Sequence, residues 1–417
     1  MRTLSTTSLC FGLLLSLGAC KQTPEPPAAS AGTPVEAKPV AATPPADQAG
    51  GVLGAQASPA CAELGRVLSD LDARSGALEP GEIAERLRGP DQHGALDWVA
   101  QADRNLARVS EDQPRDRALI EEVLAAMAAH EQAARGVDLV TITAQLRALA
   151  LLEMRRLLGE VADDRVRGAE AVAAWDEAYC IWTGALRPLA ARADALPGNA
   201  AGREPWETSI AAAFAAGHEQ LVGPTELADA TAVKAAKQQI EKGMYAVAYQ
   251  LIITQAASRS AAGASEALGL IDALEDRLAD RNGPGLARMR RMLNGPTEQI
   301  DAKQIERDLA VAFAKRARKY CDKAVVSAEL GTSQAVAETW EGVIYTRVIL
   351  SSMADALTST GFDAAAHAVD WEDYLEAVET GDAELAAEIS VRLVEWNCAY
   401  QRHLGVAECT SSANELE

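Results

Sequence analysis

Aromatic residues are scarce, 4% of 417, and basic side chains fall short of acidic ones, 39 against 60. The formal charge of −21 argues against a nucleic-acid binder, whose affinity comes from cationic neutralisation of phosphates. No Cys-x-x-Cys spacing occurs, so thioredoxin chemistry and structural zinc lack their usual sequence support. His-Glu-x-x-His, Ser-x-x-Lys, Gly-x-Ser-x-Gly and a phosphate-cradling glycine loop are missing as well. With the familiar enzyme routes unsupported, the chain reads as a non-enzyme. Its 48% hydrophobic content nevertheless excludes a wholly disordered polymer.

What is present begins at the N-terminus. Arg2 supplies a positive start, and Leu9 to Leu17 form an apolar run shorter than the about 20 residues that span a bilayer. The run ends at Leu17, Gly18, Ala19 and Cys20, which resembles a bacterial lipoprotein cleavage box. The expectation is a signal peptide over 1–19 and acylation of Cys20, with palmitate-type chains holding the protein on a membrane at about 0.8 kcal/mol per buried methylene. An aspartate after the acylated cysteine would favour inner-membrane retention in Gram-negative lipoproteins. Lys21 stands there instead, which points to the outer membrane, facing the periplasm or the cell surface. Eight of the 17 prolines (24, 26, 27, 34, 39, 44, 45 and 59) fall in the stretch 20–59, which therefore reads as a lipidated linker.

The remainder predicts an all-α, multi-helix bundle. Alanine dominates, β-branched clusters are sparse, and apolar residues recur at steps of three and four, as in Leu139, Ile142, Leu146 and Leu149. Helices are expected near 61–73, 95–109, 114–135, 138–160, 165–187, 206–221, 228–260, 264–281, 300–327, 332–359, 363–379 and 382–403. Pro114 and Pro284 sit where helices begin, and Gly136, Gly159, Gly295 and Gly381 near helix ends. The Gly- and Pro-rich interval 282–296 divides a first helical region, 60–281, from a second, 282–417, packed on it or forming its own lobe. A weak similarity between 241–257 and 340–356, centred on Gly243 and Gly342, hints at duplication.

Five cysteines remain beyond Cys20. Cys398 and Cys409 are candidates for a disulfide between the last helix and the tail, whereas Cys180 and Cys321 read equally well as buried thiols. Sequence alone does not fix the pairing.

Ionisable groups interrupt several apolar helical stripes: Ile142, Leu146, Leu149, Glu153; Ile210, Phe214, His218, Leu221; Ile120, Val123, Met127, His130; and Glu241, Tyr245, Tyr249, Ile252. Burying such a group costs several kcal/mol unless it is paired, hydrogen-bonded or metal-bound. Two readings stay open: convergent metal ligands, or carboxylates paired with arginines such as Arg155 or Arg187. Asp363, His367 and Asp370 share a helical face that reads as surface.

The aromatic stripe Trp175, Tyr179 and Trp182 is followed by Thr183-Gly184, Ile210 to Gly217, Glu241-Lys242-Gly243, Tyr249 and Gln255. Over roughly 140–262 this order resembles the iron-assimilation proteins of algal periplasms and their bacterial lipoprotein relatives. The resemblance implies a helical, extracytoplasmic iron-binding protein of iron acquisition, and brings Asp176 and Glu177 into a candidate metal set with Glu153, His218 and Glu241. Imelysin-like proteins are a neighbouring comparison, but their Gly-x-His-x-x-Glu motif is missing, because Gly217 directly precedes His218 and Leu221 stands at the glutamate position. The competing expectation is a non-catalytic helical module that binds a protein partner of the envelope.

Overall fold

A computed structural model describes residues 53–74, 78–89, 94–110, 113–196, 204–222 and 230–409. The expected signal peptide, Cys20 and most of the linker lie outside the described residues. Within them the fold is all-α. The chain forms α1 (Pro59–Ala73), α2 (Pro80–Arg88), α3 (Ala95–Asn105), a two-stranded pairing of β1 (Val109–Ser110) with β2 (Gln113–Pro114), α4 (Arg115–Met127) and α5 (Gln132–Ala162). It continues through α6 (Ala169–Ile181), a π-helical turn at Trp182–Leu186, α7 (Arg187–Asp194), α8 (Trp206–Val222), α9 (Ala230–Ser258), α10 (Ala261–Ala273) and α11 (Glu275–Leu293). The last elements are α12 (Ala302–Tyr320), α13 (Lys323–Val326), α14 (Ser333–Leu357), α15 (Ala364–Thr380) and α16 (Ala383–His403).

Local chemistry sets many of these ends. Ser58 caps α1 by accepting from the Cys61 N–H, with Pro59 in the first turn; Asp301, Thr332, Asp363 and Asp382 cap α12, α14, α15 and α16 in the same way. Gly381, at φ 75°, closes α15 in the left-handed conformation that a β-carbon disfavours. Gly136 and Gly159, by contrast, lie inside α5 and end nothing. The single helix expected over 114–135 is interrupted between Met127 and Gln132.

At the start of the 282–296 interval α11 kinks, two helical segments meeting at Asn282. Asn282 takes a non-helical φ/ψ of −150°/58°, donates from Nδ2 to the Asp308 carbonyl at 2.8 Å, and accepts from the Gly285 N–H at 3.2 Å. Its side chain thus caps the segment that contains Pro284.

Packing is dense because small residues admit close approach. Helix α9 packs against α8, α10 and α14, while α12 and α15 also pack on α14. A β-carbon on Gly243 would stand 2.9 Å from Ile210 of α8, and one on Gly342 would press on Trp371 of α15 and stand 2.8 Å from Tyr320. The two glycines of the internal similarity therefore do the same job on α9 and α14. One continuous core runs through both expected regions. Trp175, Trp182, Trp371, Tyr245 and Tyr345 are among its largest fully buried side chains, so the few aromatics are spent inside. No described helix is long and apolar enough to cross a membrane.

Candidate functional site

Asp176 and Glu177 project from α6 and hold the segment that precedes α1. Asp176 is fully buried; its Oδ1 accepts from the Gly54 N–H and its Oδ2 from the Gln56 N–H, both at 3.0 Å. Glu177 accepts from the Ser58 N–H at 2.6 Å and from the Ser58 hydroxyl at 2.8 Å. Hydrogen bonds to an ionised acceptor are about twice as strong as neutral ones, so these four donors offset part of the cost of burying the two carboxylates. His218 of α8 places Nε2 3.4 Å from Asp176 Oδ1. A disulfide between Cys61 and Cys180, Cα atoms 6.2 Å apart, staples the same two elements. Cys180 is therefore not the buried thiol that sequence allowed; Cys321 is, and burial pushes its thiol above the ordinary range. Cys398 and Cys409 are bonded as expected.

Glu153 of α5 faces inward and is paired. Arg156, one turn on, donates from Nε at 2.8 Å and from Nη2 at 2.7 Å, and Asn105 Nδ2 adds a third bond at 2.7 Å. Glu153 and Glu177 line a common cleft of about 370 Å³ with Asp97 and Trp98.

Glu241 of α9 is the hub of a different arrangement. Its side chain is 2% exposed and is met by Lys237 at 2.6 Å, Lys242 at 3.1 Å, Arg155 at 3.3 Å and Arg277 at 3.4 Å, with the Tyr245 hydroxyl donating as well. Burial alone would raise this carboxyl, but Lys242, Lys237, Arg155 and Arg277 outweigh it and hold Glu241 well below the usual carboxylate range. Lys242, itself buried, reaches Glu341 of α14 at 3.5 Å and lies over the Tyr245 and Tyr345 rings, 5.1 and 6.0 Å from their centroids. Tyr320 donates to Glu341 at 2.7 Å, and Asp276 shares Arg155 with Glu241.

The five expected ligands thus part company. Asp176, Glu177 and His218 belong to the N-terminal clamp, Glu153 to an arginine pair, and Glu241 to a cation cluster. Among the described residues no three His, Cys, Asp or Glu side chains are grouped to hold a metal ion. The donor set fits iron poorly for a plain reason: the carboxylate oxygens already accept from backbone N–H groups, guanidinium or ammonium.

Other stripes also divide. His130 is exposed and pairs with Asp138 at 2.6 Å rather than facing the core. His367, expected at the surface, is buried against Phe362, and burial lowers it to about 4. A carboxyl pair not anticipated from sequence joins α3 to α4: Asp103 accepts from the Asp116 and Arg117 N–H groups, while Asp116 is bound by Arg108 at 2.7 Å. Burial and the neighbouring Asp116 raise Asp103 to about 7. No sequence signal marked this pair, because the stretch between the two acids is largely polar.

Comparison with family models, with curated proteins and with solved structures finds no match to this chain.

Proposed function

We propose that the chain is a lipid-tethered, non-catalytic helical module of the cell envelope that works by holding a protein partner. The observation that carries this reading is the clamp at residues 54–58. Where the proline-rich linker meets the body, Asp176, Glu177 and the Cys61–Cys180 bond lock the incoming chain onto α6. A module hung from a membrane through Cys20 gains from such a fixed attachment, because a frayed junction would lengthen the tether and lower the effective concentration of the body near its partner. The paired state of Glu153, Asp176, Glu177 and Glu241 points the same way, since carboxylates engaged in holding the fold are not presented for chemistry.

In-cell crosslinking of the intact chain tests this reading: a defined envelope partner should be recovered, and its yield should fall when Cys20→Ala removes the acylation site. A uniformly monomeric, partnerless product contradicts it. Loss of palmitate labelling in the same variant tests the lipid anchor.

A further inference from the structure

A cleft of about 450 Å³ opens beside Glu241, lined by Arg108, Arg155, Arg156, Lys237 and Arg277 among its polar residues, with the carboxylates of Asp163, Glu241 and Asp276. Five cationic side chains on one cleft are conspicuous in a chain of formal charge −21. Two of them are held by carboxylates that do not line it: Arg108 by Asp116, and Arg156 by Glu153 and Glu160. The remaining three, with Lys242, form the hub, where four cations share Glu241, Asp276 and Glu341.

Acceptor capacity is short at this hub. A carboxylate offers about four lone-pair sites, and Glu241 is approached by five donor groups counting Tyr245. Lys237 carries three N–H donors and meets one carboxylate oxygen, at 2.6 Å. Arg277 makes long contacts, 3.4 Å to Glu241 and 3.3 Å to Asp276, with oxygens that Arg155 also uses, and its Nε donates to the Tyr245 hydroxyl at 3.3 Å. Both side chains are partly exposed, 16% and 32%, so an entering group can reach them. Leu106 and Leu152 give the cleft an apolar wall, and its volume suits a small soluble molecule.

We propose that this cleft binds a small organic anion, its carboxylate or phosphate head taken by Lys237 and Arg277. The planar guanidinium supplies a fork for two oxygens and the ammonium a point charge, a combination that recognises either oxyanion. This goes beyond the proposed partner-holding role and stands on separate residues, so either can fail alone.

Isothermal titration of the full chain at low ionic strength, with glycerol 3-phosphate in one arm and lactate in the other, decides the matter and separates the two head groups. At least one anion should saturate a single site with a Kd below about 1 mM, weakening as salt is raised. Lys237→Gln and Arg277→Gln should each weaken binding about tenfold, Asp276→Asn should tighten it by removing a competing carboxylate, and Lys303→Gln at an exposed lysine should leave it unchanged. Should Arg277→Gln fail to fold, Lys237→Gln decides. Absence of saturation by either anion up to about 10 mM, or wild-type affinity in Lys237→Gln, overturns the proposal.

Discussion

Asp176 and Glu241 are both buried acids on helices rich in apolar side chains, yet the protein satisfies them in contrasting ways. Asp176 accepts two backbone N–H groups from a segment about 120 residues earlier, whereas Glu241 is surrounded by cations from its own helix and from α5 and α11. The first solution fastens a chain end to the body. The second binds helices together and leaves cationic donors at a cleft. A buried carboxylate in a bundle is therefore a demand for donors, and which donors answer decides what the region does.

The contrast can be broken from the clamp side first. Replacing both Cys61 and Cys180 by alanine frees a loop with sequence separation 119, which costs about 5 kcal/mol in the chain-entropy model. Urea unfolding should show that loss, with a smaller one, about 3 kcal/mol, for the Cys398–Cys409 pair at separation 11. On the hub side, Glu241→Gln leaves several buried or half-buried cations short of their counter-charge and should cost about 3–5 kcal/mol by the same measurement. Because the folded-state pKa of Glu241 is depressed, its contribution is complete above the ordinary carboxylate value of 4.5 and is lost as pH falls through the lower folded value. Acid unfolding of the wild type should accordingly be steeper than that of Glu241→Gln.

Smaller effects sharpen the comparison. Asp176→Asn retains one acceptor oxygen and orphans one of the two N–H groups, so a loss of about 1–3 kcal/mol is expected, with faster proteolytic cleavage near residues 54–58 than in Glu241→Gln. Asp103 has the opposite pH sign. Its folded pKa of about 7 lies above the ordinary 3.8, so the stability it contributes is complete below 3.8 and disappears as pH rises through about 7. Asp103→Asn should therefore gain relative to wild type between pH 5 and 8, by about 1 kcal/mol at the upper end, read as a pH-dependent difference in Tm.

Much of the architecture was legible because it depends on local pattern. The α5 stripe of Ile142, Leu146, Leu149 and Glu153 is buried as its spacing predicts, and α8, α9, α14, α15 and α16 begin and end within about two residues of expectation, a margin usual for helix ends. Pro114 and Pro284 do mark helix starts, the latter only because Asn282 supplies a cap from across the kink. Partners distant in sequence were not legible. Gly54, Gln56 and Ser58 gave no sign that their donors meet α6, and Cys61 with Cys180 was one pairing among several. Arg155 was recognised as a possible counter-ion for a buried glutamate and indeed meets Glu241; Lys237 stands one turn before Glu241 on the same helix, a local spacing that was open to reading, whereas Arg277 depends on helix packing that no stripe encodes.

The central proposal is that the buried carboxylates serve to hold the fold rather than to bind iron. Anaerobic thermal unfolding of the full chain with and without ferrous iron tests it most directly, since a ligand at 100 times its Kd stabilises by about 2.7 kcal/mol. The account predicts the same Tm with ferrous iron as with magnesium. A saturable rise specific to iron, abolished in Glu153→Gln or Asp176→Asn, would contradict it.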